Sequence, residues 1–235
     1  MSQAIVVDRE QQICTIRINR ADKKNAITGA MYAEMADALE QAERDQSIRV
    51  VLLTGSSGIF SSGNDIIDFL QNPPSDGDAP VARYMRALAS FPKPVVAAVA
   101  GPAVGIGTTL LLHCDLVYAD STAVFQLPFV NIGICPEFAS SYLIPRMMGH
   151  VRAAELLLLA DRFDAAKARE YGLINAVTVD GEAETQARRA ALALAAKPPS
   201  ALRISKALLK QWSTPRTAEA IEVEAGYFMP MLKKP

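Results

Sequence analysis

Histidine is scarce in this chain of 235 residues: His113 and His150 are the only two, beside three cysteines, one tryptophan and a formal net charge of −1. Each shortage excludes something. Charge this close to neutral provides no basic face for nucleic acid and no acidic tail, so a small molecule becomes the default partner. Cys14, Cys114 and Cys135 are odd in number, widely spaced and set in apolar runs, as reduced core cysteines are. Two histidines without suitably spaced acidic or cysteine companions make a poor metal site, and neither stands near a Gly-x-Ser-x-Gly nucleophile elbow. His113 lies in an apolar stretch and reads as a core histidine; His150, after Gly149, reads as a surface or cap residue. No basic leader with an apolar stretch opens the chain, and the longest apolar run, residues 94–114, is broken by Gly101, Pro102, Gly105 and Gly107. A soluble, cytoplasmic protein with no membrane partner is expected.

What is present is hydrophobic bulk, 50% of all residues, enough for one large core. Residues 4–7 and 13–18 are β-branched runs around a polar turn and predict a hairpin. Thr28 is placed to cap a helix in which Met31, Met35, Ala38, Leu39 and Ala42 recur at helical spacing. Residues 49–54 and 95–100 are continuous apolar strands, and 116–119 and 174–179 are further strands. Helices are expected near 65, over 81–90, 108–114, 151–160 and 164–171, the last stopped by Gly172. Residues 71–80, with Pro73, Pro74, Gly77 and Pro80, read as a mobile loop, either a lid or a linker. From residue 182 the composition turns to helix formers, over 182–197, 201–212 and 217–232. The order of strands, glycine turns and helices argues an α/β fold.

Chemistry concentrates in three places. Glu137 is the one carboxylate between Asp120 and Arg146, among Phe129, Ile132, Ile134 and Phe138. A carboxylate there is either a partly desolvated base with a raised pKa, or the start of a helix with Pro136 as its first residue and Glu137 complementing the dipole. Gly63 and Asn64 mark either a point where an unusual backbone or a close approach to a ligand is cheap, or a plain turn before the helix near Asp65. Gly101-Pro-Ala-Val-Gly-Ile-Gly107 joins a strand to a helix whose first amides, around Ile106 and Gly107, have no helical partners. A dinucleotide site fits this turn poorly, because the helix that follows is only about two turns long. Two amide-bearing turns and a desolvated carboxylate suit proton abstraction next to a carbonyl, provided the three segments meet.

Phe60-Ser-Ser-Gly-Asn-Asp-Ile66, the glycine turn just quoted and Pro136-Glu-Phe-Ala-Ser-Ser-Tyr142, in this order, resemble the crotonase superfamily, the enoyl-CoA hydratase and isomerase family. Within it they look most like the delta-3, delta-2-enoyl-CoA isomerases of the peroxisomal type. The resemblance implies a spiral of ββα units over 1–181 and a helical region over 182–235 that covers the site and builds trimers or hexamers. It implies no prosthetic group, with coenzyme A arriving as part of an acyl-CoA thioester. The oxyanion hole carries over to the backbone amides of Asn64 and Ile106, and the base to Glu137. Coenzyme A contacts carry over to Lys23, Lys24, Ala26, Ser62, Gly63, Asn64, Asp65 and Ile66. Hydratases of the family use two glutamates, and the matching positions here are Thr109 and Phe129, so a single-base isomerase is implied; the alternatives are a hydratase or other acyl-CoA enzyme of the family, or a non-catalytic acyl-CoA-binding relative. Chains of the family continue past the position of Leu232, so an acyl pocket more open, or completed by a neighbouring subunit, is expected if this chain ends at Pro235.

Overall fold

The computed structural model describes residues 3–73 and 79–232. The first β-branched runs pair as the antiparallel hairpin β1 (Ile5–Glu10) and β2 (Ile13–Ile18). Helix α1 (Gly29–Arg44) starts where the Thr28 side chain accepts the Met31 N–H, and it buries the predicted Met31, Met35, Ala38, Leu39 and Ala42 together with Tyr32. Then follow β3 (Val50–Thr54), α2 (Ile66–Gln71), α3 (Pro80–Ala89), β4 (Val95–Val99), β5 (Pro102–Val104), α4 (Ile106–Thr109), β6 (Leu116–Asp120) and β7 (Val124–Gln126). The second half adds α5 (Ser140–Met148), α6 (His150–Ala154), β8 (Phe163–Asp164), α7 (Ala165–Glu170), β9 (Ala176–Thr178), α8 (Ala183–Ala195), α9 (Pro199–Lys210) and α10 (Thr214–Leu232).

Two sheets result, ordered β1-β2-β3-β4-β6-β9 and β5-β7-β8. Beyond the hairpin every pair in the larger sheet is parallel. Twice the chain leaves the large sheet for the small one and then enters a helix: β4, β5, α4 and β6, β7, α5. This is the spiral of strand–strand–helix units that the resemblance implied. β3 and β4 are buried along their whole length, as parallel strands covered on both faces must be. Alternate residues serve two cores: Val51, Leu53, Ala97 and Val99 face the main one, and Val50, Leu52, Val96 and Ala98 face α8. The α8 stripe is Ala183, Ala187, Ala191 and Ala195, small residues at one-turn spacing that bring the helix close to the strands. A bidentate Arg17–Glu184 pair at 2.9 and 2.6 Å ties the same helix to β2.

Three local expectations are corrected. The helix expected over 108–114 is the single turn α4 continued by a 3-10 turn (Leu110–His113), because the chain must already be back in β6 at Leu116. The helix over 151–160 is α6 followed by a wider turn (Glu155–Leu159) that closes at left-handed Ala160. Most consequentially, α5 begins at Ser140, so neither Pro136 nor Glu137 opens a helix. The expected loop at 71–80 connects α2 to α3, and its residues 74–78 lie outside the described residues. No helix among the described residues is long and apolar enough to cross a membrane.

Lys206 of α9 is the fastener between the helical region and the sheet. It is buried and donates to the Lys93 carbonyl at 2.7 Å and to Asp115 at 2.6 Å, whose carboxylate also accepts the Val95 N–H at the start of β4. Lys206→Ala leaves Asp115 near solvent but takes a donor from the carbonyl of buried Lys93, and is expected to cost about 2 kcal/mol. A urea denaturation midpoint unchanged from the parent chain would contradict this.

Candidate active site

The first glycine turn is built by three layers of backbone. Phe60 and Ser61 donate to the Pro102 carbonyl at 3.2 and 3.0 Å, and Val104 donates back to Ser61 at 2.9 Å, so the segment lies against β5. On its other side Ile27 donates to Gly63 and Asp65 donates to Ile27, both at 2.9 Å. Asn64 lies between those two bonds and its N–H takes part in neither. Gly63 is required here: its φ is +93°, and a Cβ would stand 2.8 Å from the Val104 carbonyl oxygen.

The second turn ends at Ile106, the first residue of α4. An amide there looks four residues back for a carbonyl, and the one it would find, Pro102, already accepts from Phe60 and Ser61. The segments carrying the Asn64 and Ile106 amides are therefore hydrogen-bonded to each other through Ser61, Pro102 and Val104. Lengthwise the turn is held by Gly105 donating to Gln126 of β7 at 2.9 Å and by the Thr108 hydroxyl donating to Ala103 at 2.5 Å.

Glu137 reaches this assembly through α4. The Thr109 hydroxyl donates to its Oε1 at 2.5 Å, and both residues are buried. Oε2 is buried with no hydrogen-bond partner among the described residues. Burial pushes the carboxyl up to about 8, against the Thr109 hydrogen bond and with added repulsion from Glu224. Tyr32, buried in α1, donates to the Asn64 side-chain oxygen at 2.6 Å and also senses the Glu137 charge, which places the third motif beside the first. Phe129, at the second position matched to a hydratase glutamate, is buried as well. A carboxyl with a raised pKa, one oxygen held and the other free, is thus tied through Thr109 to the helix that Ile106 opens.

The expected coenzyme A segments also converge. Ser62 donates to the Lys24 carbonyl at 3.1 Å and Ala26 donates to Lys23 at 3.0 Å, with Lys23 and Lys24 exposed on the turn and Ile66 exposed at the start of α2. Asp65 is already committed: it pairs with Arg20 at 2.6 Å and accepts the Ile67 and Asp68 amides as the cap of α2. Its carboxyl is held below the usual range, chiefly by Arg20. Buried Asn25, with a left-handed backbone, ties the loop to Ser56 and Ile59.

His113 is the core histidine expected. It is buried, stacks on Phe138 at 3.9 Å and hydrogen-bonds the Phe138 carbonyl at 2.9 Å, and burial pushes it down to about 3, so the neutral ring donates. His150 is exposed. A cavity of about 430 Å³ beside α3 and α10, lined by Leu112, Leu143 and Ile221 among others, includes neither Glu137 nor Asn64.

Sequence reasoning missed Arg20, Asn25, Tyr32 and Glu224. Tyr32 carried a signal, since a tyrosine on the apolar face of a helix needs a partner for its hydroxyl. Glu224 carried none: it lies on α10, and its carboxylate accepts the Ala139 and Ser141 amides at 2.6 and 2.9 Å. Glu224, rather than Glu137, is the acid at the start of α5.

A model of the enoyl-CoA hydratase/isomerase family matches residues 8–234. The chain is 38% identical over 216 residues to enoyl-CoA delta isomerase 2 of Rattus norvegicus, covering 89% of this chain and 55% of that protein. It thus spans about half the length of that curated relative. It is 34% identical over 236 residues to 1,2-epoxyphenylacetyl-CoA isomerase of Escherichia coli, covering 97% and 89%. Among solved structures, that of Pseudomonas aeruginosa OdaA superposes with a TM-score of 0.97 at 50% identity, covering 100% of this chain and 95% of that one.

Proposed function

The chain belongs to the enoyl-CoA hydratase/isomerase family, and on that premise we propose that it shifts the double bond of a 3-enoyl-CoA thioester to the 2-trans position. The observation that carries this is Glu137, a buried carboxylate with one free oxygen, together with Thr109 and Phe129 at the positions of the two hydratase glutamates.

The thioester carbonyl oxygen accepts the amides of Asn64 and Ile106. Glu137 Oε2 takes a proton from C2. The C–H electron pair forms a C1–C2 double bond, and negative charge moves to the oxygen, where the two amides stabilise it. When the carbonyl reforms, the C1–C2 pair moves between C2 and C3. The C3–C4 pair takes the proton from Glu137 at C4, and no atom is gained or lost. Adding water would need a second group to activate it, and the Thr109 hydroxyl is spent on Glu137. The loop at Lys23, Lys24 and Ala26 and the segment from Ser62 to Ile66 hold the coenzyme A moiety, with Lys23 and Lys24 at its phosphates. Trimers or hexamers belong to the same proposal.

The test is a side-by-side assay of 3-hexenoyl-CoA isomerisation and crotonyl-CoA hydration. Isomerisation is expected to dominate, and a preparation that hydrates faster than it isomerises would overturn the proposal. The pH profile supplies a second expectation. A base held near 8 must lose its proton to work, so kcat/KM rises about tenfold per pH unit below that value and levels off above it. A profile flat from about pH 6 to 9 is incompatible with a base held near 8.

A further inference from the structure

We infer that Glu224 of α10 is a positioning residue for the base: it fixes the backbone that presents Glu137 and sets a second carboxylate behind it. This rests on Glu137 being the base. The loop that follows Glu137 is in an unfavourable conformation, with Phe138 and Ala139 left-handed at φ 59° and 58°. Each costs roughly 1 kcal/mol and persists only if the surroundings over-determine it.

The hydrogen bonds show what does so. The Glu137 carbonyl accepts the Ser140 amide at 3.1 Å and hydroxyl at 2.6 Å, and the Phe138 carbonyl accepts from His113. These hold carbonyls. Among the amides, those of Ala139 and Ser141 go to Glu224, at 2.6 Å to Oε2 and 2.9 Å to Oε1, and the Ser141 hydroxyl joins Oε1 at 2.5 Å. Three donors on two oxygens require a carboxylate, because an amide side chain would turn its NH₂ toward at least one of them. Glu224 is 6% exposed, so water does not substitute for it. Its neighbour Phe228, one turn on, packs edge-on against Phe69 of α2, and Cys135 bonds the Glu224 carbonyl, so the helix is anchored on both sides of the loop.

The charge matters as well as the grip. Among the described residues, Thr109 from α4 and Glu224 from α10 act on Glu137, and its charge is felt in turn by Tyr32 from α1, Tyr84 from α3 and Cys135 from its own loop. None is a cation. Repulsion from Glu224 raises the Glu137 pKa further, which strengthens it as a base.

Glu224→Gln keeps the shape and removes the charge. On 3-hexenoyl-CoA it is expected to lower kcat about 10- to 100-fold with KM nearly unchanged, and to move the acid limb of kcat/KM to lower pH. Ser141→Ala removes one donor but keeps the charge. It should lower kcat about threefold to tenfold and leave the limb in place, and this variant also tests the inference if Glu224→Gln does not fold. A carboxyl infrared titration, differenced against Glu137→Gln, reads the Glu137 shift without turnover. Folded Glu224→Gln and Ser141→Ala with parental kcat and an unmoved limb would overturn the inference, even if both lose thermal stability. The two readings fail separately. Full activity in Glu137→Gln sinks the single-base proposal, whereas an inactive Glu137→Gln beside a fully active Glu224→Gln sinks only the role of Glu224.

Discussion

Replacing Glu137 by glutamine is expected to cut kcat for 3-hexenoyl-CoA isomerisation by about three to four orders of magnitude while KM changes little, the loss of a general base without loss of a binding surface. Glutamine has the same shape, and its oxygen can still accept from Thr109 at the place of Oε1. The atom replacing Oε2 cannot take a proton. Isomerisation retained within tenfold of the parent would assign the proton transfer to another group.

The same substitution carries a stability signature. The carboxyl ionises at about 4.5 in the unfolded chain and at about 8 in the folded one. Between those values the native state holds a proton that the unfolded state has released. The parent chain therefore loses stability as pH rises from about 4.5 to about 8, and no further above that. Glutamine has no proton to release, so the stability difference between the two moves in favour of the variant across that window, by on the order of 4 kcal/mol. Urea denaturation of both at about pH 5 and pH 8.5 reads it directly. Parallel pH dependence in the two chains would show that Glu137 titrates near its ordinary value.

Gly63→Ala is expected to be the most damaging substitution away from the base, lowering kcat about a hundredfold. The added methyl meets a positive φ and a carbonyl oxygen at 2.8 Å, in backbone pinned by Ile27 on one side and by β5 on the other. On the proposed mechanism, the segment yields by rotating the neighbouring Asn64 amide away from the thioester oxygen. Gly172→Ala is the control: it also has a positive φ, +81°, but nothing lies within 4 Å of its Cβ. It should cost about 1 kcal/mol of stability and leave kcat unchanged. Equal kinetic losses in both variants would reduce the Gly63 effect to general strain.

Much of the fold was readable because its causes are local. Alternation and β-branching marked the hairpin, unbroken apolar runs marked β3 and β4, Thr28 marked the start of α1 and Gly172 the stop after α7. Gly63 was singled out because glycine before asparagine makes an unusual backbone cheap, and its φ is +93°. Glu137 stood out as a lone acid among apolar residues, and burial did raise its pKa.

The helix start was misplaced for an instructive reason. Proline followed by glutamate suits the first turn of a helix, but Phe138 and Ala139 adopt a conformation that no local preference favours, and α5 starts three residues later than Glu137. What pays for that conformation is Glu224, 85 residues along the chain from Ala139. The meeting of Asn64, Ile106 and Glu137 likewise depends on backbone bonds through Ser61 and Pro102 and on the hydroxyls of Tyr32 and Thr109. The sequence by itself determined the elements, the apolar setting of Glu137 and the turns that leave amides free, because these follow from sterics and burial within a few residues. Only the tertiary structure decided which of two buried carboxylates keeps a free oxygen and which is spent on the backbone, because their hydrogen-bond partners are groups that folding brings together from distant parts of the chain.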